Sequence, residues 1–261
     1  MGVGYLFGCL LSILFWKIDR HNIFARAHEK INRKITNKII LQMMYLLFIA
    51  FLGLIIWIIP KSEMINAIVA FSVIEISNSE RKTIIRRSGE KKEFYNTLSI
   101  ISKSFICGFL APMIYIIVLG NMGGIIYTLI YYASDDEELK FMNSILNFLN
   151  IIPTLIGGAF LYFIYAIRNK TFKINFKGDF FVNLFENPLL NIYVLAAYVE
   201  SVNFYYYTEV NGVHYLKSYG IYQEKIDDIC VKDFLTIIYG ICIVTYMCFW
   251  FYMVTFGEIF Y

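Results

Sequence analysis

Four stretches of this chain are too long and too free of charge to be hidden inside a water-soluble fold. Residues 39–60, 104–134, 141–167 and 234–257 hold 22, 31, 27 and 24 residues without one Asp, Glu, Lys or Arg. A hydrocarbon layer about 30 Å thick is crossed by about 20 apolar residues in helix, so each stretch has the length of a membrane span. The composition agrees, because 59% of the residues are hydrophobic and only 16% are charged. An ordinary soluble domain is nearer 25% charged. A cytosolic enzyme and a disordered chain are both excluded.

Two weaker stretches join them. Residues 3–16 are uncharged but lack the basic start and small-residue cleavage site of a secretory leader, and read as an uncleaved first span. Residues 64–77 carry Glu75 and read as a return through the membrane. Residues 104–134 are too long for one untilted helix and are interrupted by Pro112, Gly120, Gly123 and Gly124, so a helix followed by a bent or re-entrant piece is expected there.

Charge sets the threading. The linkers 17–38 and 78–103 each hold seven Lys or Arg, 14 of the 23 in the chain, and the positive-inside rule puts both in the cytoplasm. The expected architecture is all-α, a polytopic transmembrane bundle of about six crossings formed from a single domain, residues 1–261, with both termini outside. The acidic run Asp135-Asp136-Glu137-Glu138 then falls on the outer side, and Arg168, Lys170, Lys173 and Lys177 mark re-entry. Residues 169–233 read as amphipathic segments against the cytoplasmic face. The expected location is the cell membrane. The partners are the lipid bilayer and other membrane proteins, and not nucleic acid, since the net charge is only +3.

Chemistry motifs are sparse. No phosphate-binding glycine loop and no HExxH occur, and His21, His28 and His214 are not spaced as a metal set. Five scattered cysteines read as small apolar core residues. The polar groups inside the spans are mostly amides. Asn143, Asn147 and Asn150 recur at i, i+4 and i+7 and share one helix face, which suits hydrogen bonding between helices.

The run Gly108-Phe-Leu-Ala-Pro112-Met-Ile-Tyr115, followed by Gly120, Gly124 and Tyr127 and then by Asn150-Ile-Ile-Pro153, resembles the CobD/CbiB family of cobalamin-biosynthesis membrane proteins. The His21 loop and Asn187-Pro188 fall where that family has further motifs. The resemblance implies joining of aminopropanol, as its phosphate, to adenosylcobyric acid, with ATP and Mg²⁺ as the cofactors of an enzymatic form and a corrinoid as substrate. It places substrate near His21, Gly108, Pro112, Asn147 and Asn150, and metal at Asp135 and Asp136. The family's paired Asp falls on Leu146 and Asn147 and its Arg on Leu155, so the acidic set is largely replaced. That replacement is similar to the AmpE proteins, membrane proteins implicated in sensing cell-wall state, and implies the alternative of a non-catalytic sensor or scaffold.

Overall fold

The structure is a computed structural model that describes residues 2–15, 18, 20–33, 35, 37–60, 62–75, 94–134, 136, 138–210, 213–220 and 228–260. Most described residues are helical, and four helical stretches are long and apolar enough to cross a membrane: Lys38–Ile58, Thr97–Ala133, Lys140–Asn169 and Ile229–Phe256. The chain divides into two compact units.

Unit 1 holds residues 1–78, 107–149 and 242–261. Its helices are α1 (Val3–Leu14), α2 (Arg20–Asn32), α3 (Lys38–Ile58), α4 (Glu63–Val73) and α6 (Ala111–Ala133), with the start of α7 (Lys140–Asn169) and the end of α10 (Asp228–Phe260). α1 and α4 lie side by side and parallel. Gly4 sits on the Glu63 backbone and Gly8 on that of Ala67, so close that a methyl group at either would collide with a carbonyl. Small residues four apart let two helix backbones approach in this way. The Glu63 carboxylate accepts from the N–H groups of Gly2 and Gly4, at 3.0 and 2.5 Å, and so closes the positive end of α1.

Both helices are shorter than expected. α1 ends at Leu14 and α4 at Val73, which gives about 18 and 16 Å of helix at about 1.5 Å per residue.

α6 doubles back on itself. Gly120 has φ 72° and ψ −162°, which no helix tolerates, and beyond it Tyr127 stacks on Tyr115 with ring centroids 5.1 Å apart. In a continuous helix those residues would lie about 18 Å apart. The bent piece expected within 104–134 is present, as two helical arms. The second arm runs antiparallel to α3, with Gly53 against Ile126 at one end and Lys38 beside Asp136 and Glu138 at the other, at 3.4 and 2.5 Å. The acidic run and the first basic linker, expected on opposite sides, therefore meet: Asp136 and Glu138 lie at the same end of unit 1 as Lys38, the last residue of that linker, because the chain folds back at Gly120.

Unit 2 holds residues 79–106 and 150–241. It contains α5 (Phe94–Phe105), the rest of α7, α8 (Phe180–Glu186), α9 (Pro188–Val199), a hairpin of β1 (Phe204–Val210) and β2 (Val213–Tyr219), and the start of α10. The strands pair antiparallel from Phe204 with Tyr219 to Val210 with Val213. The hairpin departs from the all-α expectation. α9 departs from the amphipathic one: Leu189–Leu190 and Val194–Val199 are buried, since a helix apolar all round has no face for water.

Candidate functional site

The two prolines of the motif stretches share one physical consequence. Proline has no N–H, so it leaves the carbonyl four residues earlier without its helical donor. Pro112 cannot serve Gly108, and the Gly108 carbonyl instead accepts from the backbone N–H of Glu75 at 2.9 Å, inside a short π-helical turn, Ile106–Leu110. Pro153 cannot serve Leu149, and the Leu149 carbonyl accepts from the Tyr115 hydroxyl at 2.7 Å. Each opened carbonyl is closed by another part of unit 1.

The surrounding polar groups are also shared between helices. The Tyr5 hydroxyl donates to the side-chain carbonyl of Asn121 at 2.8 Å, and the Asn121 amide donates to Asn66 at 2.6 Å, which links α1, α6 and α4. At the other end of the α1–α4 pair, Ser12 donates to the Ile74 carbonyl at 3.0 Å. Arg20 donates to Ser12 at 2.7 Å and lies 3.7 Å from the buried Glu75 carboxylate. Such pairing is what charge in an apolar surround demands.

The expected site residues are therefore distributed. Gly108 and Pro112 are buried in unit 1. Asp136 holds Lys38 with Oδ2 and caps the Glu138 N–H with Oδ1 at 3.0 Å, and its carbonyl accepts from the Asn143 side chain at 3.2 Å. Asn147 is half-buried one turn further along α7. Asn150 is fully buried and belongs to unit 2. His21 is in α2, but its side chain, like the whole of Asp135, lies outside the described residues, as does 76–93, which holds most of the second basic linker.

Unit 2 carries two features that the motif search missed. The first is an ionic knot. Arg168 reaches Glu200 at 3.1 Å and Asp233 at 2.8 Å, joining the ends of α7, α9 and α10. Glu200 is only 4% exposed, and burial pushes its carboxyl up to about 7 against the opposing pull of Arg168. The second is an apolar groove of about 290 Å³ between α7, the 176–184 segment and α9, near the small end of the range for ligand pockets, about 300–1,000 Å³. Gly158, Tyr162, Phe176, Phe180, Ile192 and Leu195 form most of its wall. Its polar members face inward to protein partners. Asn191 donates to the Phe180 carbonyl at 2.9 Å and accepts from Asn183, and Thr154 donates to the Asn150 carbonyl at 2.8 Å.

Asp179 fixes the hairpin beside this groove. Lys217 and the Tyr219 hydroxyl both donate to its Oδ2 at 2.8 Å, which holds the Asp179 carboxyl below the usual range, while burial first and this bond second raise Tyr219. Sequence reading passed over the groove because its signal is a gap in the side-chain packing beside Gly158 and not a residue type. No protein-family model matches the chain, and the search of curated proteins and that of solved structures each return no match.

Proposed function

We propose that this chain is a multi-pass integral membrane protein that works by binding, as a scaffold or sensor of the kind the AmpE likeness implies, and not as an amide ligase. The observation that carries the proposal is that, among the described residues, the polar groups of the motif stretches are taken up by the fold. The carbonyls opened by Pro112 and Pro153 are closed internally, and both oxygens of Asp136 have protein partners. A magnesium-assisted ligation draws on carboxylate oxygens turned toward metal and nucleotide.

The threading proposed with it puts the linkers 17–38 and 78–103 in the cytoplasm. Its support is the parallel packing of α1 and α4, which makes both helices end, and so release those linkers, on one side. The count proposed with it stays at about six crossings, 3–16, 39–60, 64–77, 104–134, 141–167 and 234–257, of which Lys38–Ile58, Thr97–Ala133, Lys140–Asn169 and Ile229–Phe256 have the length and apolarity of a span. α10 runs antiparallel to α1, with Val254 beside Gly2 and Phe249 against Tyr5, which supports both ends of the chain lying outside.

The test of function is complementation of a strain unable to attach aminopropanol to cobyric acid. The expected result is no growth on cobyric acid with the protein present in the membrane. Growth would restore the ligase reading, with ATP, Mg²⁺ and a corrinoid as its reactants.

A further inference from the structure

We infer that the groove of unit 2 holds one acyl chain of an anionic phospholipid. The wall of the groove belongs to surfaces that meet hydrocarbon. Ile152 and Phe163 on α7 and Phe181 and Phe185 on α8 are all more than half exposed, a pattern that suits lipid and not water. The groove is apolar because its amide and hydroxyl members are already bonded to protein, so it offers no recognition to a polar solute.

The depth of the groove can be read along α7. Tyr162 and Tyr165 donate to the carbonyls of Phe172 and Lys173, at 3.1 and 2.8 Å, and so pin the segment after α7 along the end of the helix. Tyrosines at a span's end mark the headgroup level. From Tyr162 down to Thr154 the groove follows eight residues of helix, about 12 Å of a single chain's length.

The charge at the mouth selects the headgroup. Lys170 and Lys173 are exposed on the segment that also supplies Phe176 to the wall, and among the described residues no ion pair joins either to a carboxylate, whereas Lys177 lies over the Tyr219 ring, 5.5 Å from its centroid, and acts on Asp179. The nearby Asp179 is occupied by Lys217 and Tyr219. Two cations on the segment that borders an apolar slot complement a phosphate-bearing headgroup above its own chain.

The experiment uses the full chain in nanodiscs of equal parts phosphatidylglycerol and phosphatidylcholine, each carrying the same photoreactive acyl chain in separate preparations. Crosslinked peptides are read by mass spectrometry. Phosphatidylglycerol should label residues 154–195 and exceed phosphatidylcholine there. Gly158→Ala adds a methyl group at ordinary contact distance, 3.4 Å from Leu195, and should label like the native chain, whereas Gly158→Leu fills the groove and should lower labelling about tenfold. Lys170→Gln and Lys173→Gln should keep chain labelling and lower the preference for phosphatidylglycerol about fivefold each. Equal labelling by the two lipids, or undiminished labelling in Gly158→Leu, would overturn the inference. The outcome is independent of the complementation test.

Discussion

Tyr115 is one of the residues on which the account can be broken most cleanly. Its hydroxyl serves the carbonyl that Pro153 leaves open, so Tyr115→Phe strands an acceptor in an apolar surround, at about 1–3 kcal/mol. Thermal unfolding in detergent should show that loss. In a Pro153→Ala background the helix supplies its own donor, so the same substitution should lose less, and additive effects would refute the pairing. Glu200 gives a prediction in pH. Its carboxyl is raised from 4.5 to about 7, so the folded chain keeps a proton there that the unfolded chain releases earlier. The stability it contributes is full below the unfolded value and is lost as pH rises through the folded one. Glu200→Gln should flatten that decline in unfolding curves taken between about pH 5 and about pH 8. The prolines and Asn150 stand out in the sequence. Their partners do not, because Tyr115 and Leu149 are 34 positions apart and nothing local joins them.

Among the elements, the four long helices were legible because uncharged length alone specifies them. The fold-back of α6 was legible from Gly120 within an overlong run. The hairpin does not show in helix periodicity, although Asn211-Gly212 between two Tyr-containing runs is a strong short-range hairpin signal. The close α1–α4 contact was also passed over, since Gly4 and Gly8 declare themselves only as a pair four residues apart. Gly8→Leu cannot be accommodated against the Ala67 carbonyl and should separate α1 from α4. A disulfide-trapping pair across the two helices should form readily in the native background and fail in the variant. Trapping at the native rate in Gly8→Leu would contradict the packing described here.

For the whole molecule, the physics rests on where charge and hydrocarbon are allowed to meet. Unit 1 takes Arg20 and Glu75 inside as a pair and gathers Lys38, Asp136 and Glu138 at one end, while unit 2 knots Arg168 with Glu200 and Asp233. Apolar side chains cover much of the remaining exterior, with Leu47, Phe51, Trp57 and Ile58 of α3 more than 60% exposed. An aqueous solvent would penalise that surface, and a bilayer accepts it. The site was less legible than the fold, because a groove and an ionic knot arise from packing between segments distant in sequence. The account's central claim is a chain embedded in a bilayer with its two basic linkers on one side. Single cysteines introduced at Lys30 and Lys91, each labelled with a membrane-impermeant thiol reagent in right-side-out and inverted vesicles, test it directly. The account predicts that both positions react only in inverted vesicles, and reaction of the two from opposite faces would contradict it.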